Sequence, residues 1–129
     1  MRTGLAIAAA CAALLAAGCG DDGDQNEQGA VREVVEKFAL ADGPEACDYL
    51  GGQALEDNYG GRDYATGKKR CERAADRFEG ERIKINRVRV TSDTTARVDA
   101  EQAGRLYVVS LSKPQDDWVI ERIIQQRRE

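Results

Sequence analysis

The side chains with chemical capacity in this 129-residue chain are four cysteines, at positions 11, 19, 47 and 71, and the chain has no histidine. That combination narrows the chemistry quickly. A cysteine-based zinc centre wants ligands at CxxC spacing, completed by histidine or further cysteines, and neither pattern occurs. A nucleophilic cysteine wants a base beside it, and the usual histidine partner does not exist here. The acidic run Gly20-Asp21-Asp22-Gly23-Asp24 offers oxygen ligands. It lacks the apolar position and closing glutamate of an EF-hand loop. No catalytic residue, metal or cofactor is therefore assigned.

The cysteines are better understood from the segments that carry them. Arg2 is followed by an apolar run from Leu5 to Ala17, interrupted by Cys11 and consisting mostly of alanine. This is the pattern of a secretory signal, and it is too short for a hydrocarbon core of about 30 Å. So alanine-rich a helix would also offer little area to a protein core. Ala16-Ala17-Gly18-Cys19, which closes the run, resembles the lipobox of a bacterial lipoprotein. The leucine usual three places before the cysteine is Ala16 here, with Leu15 one place further back. The resemblance implies cleavage before Cys19 and attachment of lipid to its thiol, anchoring the protein outside the cytoplasm on the cell membrane. Plain secretion and an uncleaved anchor are the alternatives. Each buried methylene contributes about 0.8 kcal/mol, so two acyl chains hold a protein firmly where one does not.

On that resemblance Cys11 leaves with residues 1–18 and Cys19 is blocked, leaving Cys47 and Cys71. In an oxidising compartment such a pair is expected to bridge. With 24 residues between them, the crosslink would contribute about 3–4 kcal/mol by restricting the unfolded chain. A two-cysteine metal site is the weaker alternative.

Removing residues 1–18 leaves 111, enough for one domain with a single modest core. They carry 18 basic and 23 acidic side chains, an acidity that argues against nonspecific nucleic-acid binding. Residues 19–29 read as the lipidated cysteine and a flexible acidic tether without an apolar side chain beyond Cys19. Residues 30–127 read as a single α+β domain.

Periodicity predicts the elements of that domain. Val31, Val34, Val35 and Phe38 form one stripe of a helix from Ala30 to Leu40. Asp42-Gly43-Pro44 ends it and opens a short helix to Leu50. Gln53 to Gly67 is hard to read, with one helical turn suggested by Ala54, Leu55 and Tyr59. A third helix, Lys68 to Phe78, carries Cys71, Ala74, Ala75 and Phe78 on one stripe. After Gly80 the period changes to two. Four antiparallel strands are expected, with Leu106 to Leu111 central and Trp118 opening the last. Ile83 and Ile85 differ in parity from Val88 and Val90, so a bulge at Asn86-Arg87 is expected to restore a common inward face.

Helices followed by such a meander, with Cys47-Asp48-Tyr49-Leu50, Cys71-Glu72-Arg73-Ala74-Ala75 and Trp118-Val119-Ile120, resemble the nuclear transport factor 2-like (cystatin-like) superfamily and small lipoproteins of actinobacterial type. The first resemblance implies helices packed on a curved, cone-like four-stranded sheet whose open end holds a small ligand, catalyses isomerisation or serves as an interaction surface. It makes Tyr49, Tyr59, Tyr64, Tyr107 and Trp118 candidate pocket residues, and it pairs the tyrosines with Asp57, Asp76 or Asp99 if the domain is an enzyme. The residues themselves favour packing roles for the tyrosines, a core position for Trp118 and solvent for Asp99. Arg87, Arg89, Arg97 and Arg105 form a basic stripe read as a solvated face. The expectation is a lipid-anchored, non-enzymatic interaction or structural domain, with a small apolar ligand as the alternative.

Overall fold

The computed structural model describes residues 26–127. Residues 1–25, which include the expected signal segment, Cys11, the expected lipidation site Cys19 and most of the expected tether, lie outside the described residues, as do residues 128–129.

Helix α1 spans 26–40 and buries Val31 and Val35, with Val34 and Phe38 against the same core. Its outer side carries the i,i+4 pairs Arg32–Glu36 and Glu33–Lys37. The helix is under way four residues before the expected Ala30, because Glu27 finds partners in the folded domain. Asp42-Gly43-Pro44 then opens a 3₁₀ helix, Gly43–Tyr49, that buries Ala46 and Cys47. Gly52–Tyr59 (α2) buries Ala54 and Leu55, making a full helix of the segment in which only one turn was legible. Helix α3, Tyr64–Ala74, starts earlier than expected because Asp63 caps it, accepting the Thr66 amide at 2.8 Å. Gly67, at the end of the hard-to-read segment, lies inside α3. A Cβ there would come within 3.1 Å of Leu55 Cβ, so glycine lets α2 and α3 approach closely. After Ala74 the chain tightens into a 3₁₀ turn, Ala75–Arg77.

The expected bridge is present: Cys47 and Cys71 form a disulfide, with both residues fully buried. It ties the 3₁₀ helix to α3.

Four antiparallel strands follow: β1 Lys84–Val90, β2 Thr95–Gln102, β3 Arg105–Ser112 and β4 Val119–Gln126. They pair in sequence order β1-β2-β3-β4, with β2 and β3 central. The register shifts between Ile85 and Arg87, so Ile85, Val88 and Val90 all pack inward as the parity change requires. A second shift falls between Ser110 and Leu111, where β3 meets β4. Trp118 precedes β4, and it closes the core as expected, at 5% exposure.

The helices pack against this sheet, but the sheet is not a cone, which corrects the curved architecture and the superfamily resemblance. The central β2–β3 ladder runs in unbroken register from Thr95↔Ser112 to Gln102↔Arg105. The two bulges lie on the outer strand pairs, at different levels, and do not bend the sheet together. On the central strand β2 the inner face is lined by small side chains, Ala96, Val98 and Ala100, all buried. The helices lie directly on the sheet, and the space between α1 and the strands narrows to a crevice of about 130 Å³.

One contact fixes the two layers. The Gly51 amide donates to the Ile120 carbonyl at 2.8 Å, and Leu50 forms a parallel bridge with Ile120. A Cβ on Gly51 would lie 1.8 Å from Glu121 Oε1 and 2.8 Å from Val119 Cγ2, so any larger residue at this crossing has to displace both side chains.

Candidate functional site

An open groove of about 800 Å³ lies between α1, the 3₁₀ helix and the loop that leads into β4. Three of the five expected pocket residues line it: Tyr49, Tyr64 and Trp118. Each is positioned by a different element. The 3₁₀ helix ends on Tyr49, the Asp63 cap starts α3 at Tyr64, and core burial holds Trp118. Tyr64 is half exposed and gives the groove an accessible aromatic wall. Val34 and Ala30 supply aliphatic surface from α1, and Asp116 and Asp117 form an acidic lip.

Ion pairs set the polarity of the rim. Lys37 Nζ lies 2.6 Å from Glu33 Oε1. Its hydrogen bond and charge hold the Glu33 carboxyl below the ordinary range, and the same contact raises Lys37. Lys68 Nζ lies 3.0 Å from Asp48 Oδ1, and that hydrogen bond raises the Lys68 ammonium.

The Trp118 wall of the groove is held by a residue of the expected tether. Trp118 Nε1 donates to Glu27 Oε2 at 2.8 Å, and Lys113 Nζ donates to Glu27 Oε1 at 3.2 Å. Lys113 also sits 5.7 Å from the Trp118 ring centroid, within cation–π range. The Trp118 hydrogen bond, followed by that from Lys113, holds the Glu27 carboxyl below its ordinary value. The usable signal was position: Glu27 stands four residues before Val31, on the same side of a helix extended by one turn.

The other candidates lie elsewhere. Tyr59 ends α2 half-buried against the core, and burial raises its hydroxyl; its carbonyl accepts from Arg70 Nη1 at 3.2 Å. Tyr107 lines an apolar crevice of about 130 Å³ with Phe38, Ile83 and Ile123. That space is well below the several hundred Å³ of ordinary ligand pockets. Asp57 accepts from Gln53 at 2.8 Å on the outside of α2, Asp76 is exposed in the 3₁₀ turn, and Asp99 lies on the outward parity of β2. None of the three lines a concavity with a tyrosine among the described residues. The acid–tyrosine pairing that the superfamily resemblance implied is not assembled. No group of three or more histidine, cysteine or carboxylate side chains that could hold a metal occurs among the described residues.

Family models, curated proteins and solved structures all yield no match to this chain.

Proposed function

We propose that this chain is a lipid-anchored, extracytoplasmic interaction domain without enzymatic activity, held to the membrane at Cys19 and meeting a partner protein at the groove bearing Tyr49 and Tyr64. The observation that carries the reading is the buried Cys47–Cys71 disulfide. Such bonds persist where thiols are not kept reduced, which agrees with the export and lipidation that Ala16-Ala17-Gly18-Cys19 suggests. The groove supports binding over chemistry. It is open, it mixes an exposed aromatic ring with charges, and two of its four carboxylates, Glu33 and Asp48, are already engaged by lysines.

The test is to express the full chain in a bacterial host with an alkyne-bearing fatty acid and to measure the mass of the N-terminal peptide. Acyl mass on Cys19, lost in Cys19→Ser, is the expected result. Two thiols labelled by maleimide without reduction, or a Cys19 peptide without acyl mass, would overturn the assignment.

A further inference from the structure

The sheet has a second face, turned away from the helices, and its charge differs from that of the rest of the domain. Register defines the rows across it. Arg89 stands opposite Arg97, Arg97 opposite Ser110, and Ser110 opposite Arg122. The next row reads Arg87, Asp99, Val108 and Ile124. All four arginines are exposed. With neighbouring strands about 4.8 Å apart, three arginines fall within a row about 15 Å wide. The structure replaces Arg105 of the expected stripe, which pairs with Gln102 on the other parity, by Arg122.

Like charges directly opposite each other destabilise a sheet, yet Arg89 faces Arg97. None of the four arginines takes part in the ion pairs of the described residues, which join other side chains. The acids on this face are Asp99, one row away, Glu101, across from Lys84, and Glu121, at the β4 bulge, which accepts from the Ser112 hydroxyl. The face positions 84, 87, 89, 97, 99, 101, 121 and 122 therefore hold five basic and three acidic side chains, whereas residues 26–127 together hold 17 basic and 19 acidic. Positive charge is concentrated here and negative charge elsewhere. Ile124, 47% exposed, stands in the row beside the arginines.

The chain enters the domain on the helical side, at one end of the sheet. Glu27, in the first described turn of α1, is bound to Lys113 just after β3, and it shares a shallow depression with Thr91, Ser92 and Asp93. The arginine row lies two residues along the strands from that end, about 7 Å. Seven residue steps separate Cys19 from residue 26, a span of at most about 25 Å.

We propose that the outer sheet face is a docking surface for anionic lipid headgroups, seated by Arg87, Arg89, Arg97 and Arg122, so that the domain lies against the membrane that holds its anchor. This rests on the reading of Cys19 as lipidated. The short span keeps the domain close to the bilayer, and charge complementarity selects the face. Phosphate oxygens of the headgroups separate the facing guanidinium groups and relieve their repulsion, while Ile124 meets the upper acyl boundary.

The test uses the full lipidated chain, purified in detergent and reconstituted in two sets of vesicles. One set is phosphatidylcholine alone, and the other contains about 30% phosphatidylglycerol, in each case with modification by phenylglyoxal read by peptide mass. The four arginines are expected to react about fivefold more slowly on the anionic vesicles, an effect abolished by high salt, while Arg73 and Arg77 on the helical side react alike on both. Equal reactivity of the four on both vesicles overturns the docking proposal while leaving the anchor intact. Failure of the chain to stay with neutral vesicles overturns the anchor reading instead. Equal protection on neutral vesicles by inorganic phosphate or a polyglutamate peptide would reassign the face to soluble anions or an acidic protein, and would overturn the membrane assignment.

Discussion

The helical layer and the sheet of this domain are stabilised in different ways. The sheet is held by backbone pairing: three antiparallel pairs, strands of seven or eight residues, and an uninterrupted central ladder. The elements between α1 and the sheet are short, with seven, eight, eleven and three residues, and two of the four are 3₁₀. Isolated helices shorter than about 12–15 residues are marginal in water. These pieces persist because a disulfide, a capping aspartate and a close glycine crossing fix them to each other and to β4. Regular backbone pairing can replace covalent constraint, and where the pairing is local and brief the constraint has to come from side chains.

The strongest way to break this contrast is to remove the crosslink. Cys47→Ala/Cys71→Ala should cost about 3–5 kcal/mol in urea unfolding. In hydrogen exchange, amides of α2 and α3 should lose protection well before those of β2 and β3. Uniform loss across both layers would show that the two unfold as one unit and that the distinction is wrong.

Gly51→Ala should be next in size. Its methyl would displace Glu121 from a site where one carboxylate oxygen accepts from Ser112 at 3.0 Å and the other is buried without a hydrogen-bond partner. A loss of about 1–3 kcal/mol is expected, read as a shift in the urea midpoint at unchanged slope. Gly52→Ala, with open space around it, serves as the control and should change stability little.

Smaller effects separate the charges that hold the layers' edges. Glu27 and Asp63 both have carboxyls held below the ordinary range, the first chiefly by Trp118 and the second by the Thr66 amide. Their contribution is present above the unfolded-state carboxylate pKa and is lost as pH falls through the lower folded-state value. Acid titration of stability should therefore be shallower in Glu27→Gln and in Asp63→Asn than in the parent. Asparagine still caps a helix, so the second variant isolates charge from geometry. A parallel decline in parent and variants would remove these groups from the account of acid sensitivity.

The smallest effect is expected at the groove rim, where Tyr64→Ala should leave the urea midpoint nearly unchanged because the ring is half exposed. A large loss would make Tyr64 part of the core that joins α3 to its neighbours, and would weaken its role as a partner contact.

Much of this fold was legible because it follows from local periodicity. The stripe of Val31, Val34, Val35 and Phe38, the alternation of Ala96, Val98 and Ala100, and the parity break at Asn86-Arg87 each determine an element or a face before any tertiary contact is known. Glu27 was not legible, since its value lies in an indole and an ammonium 91 and 86 residues away. Helix α2 was unclear because its neighbouring glycines suggest breaks, and it is the approach of α2 to α3 that makes Gly67 a helical residue. The curved sheet was an inference from element order, and element order does not encode curvature. Curvature depends on whether bulges act in phase and on how much side-chain bulk separates the layers.

By itself the sequence determined the α+β class, the strand order, the inward position of Trp118 and, through the resemblance at residues 16–19, the pairing of Cys47 with Cys71. Only the tertiary structure decided that the sheet is open, that Tyr49, Tyr64 and Trp118 share a groove while Tyr59 and Tyr107 do not, and that Arg122 joins Arg87, Arg89 and Arg97 on one face. The physical reason is range. Periodicity and turn chemistry act over a few residues, whereas a groove or a cross-strand row is assembled from residues whose separation in the chain carries no local signal.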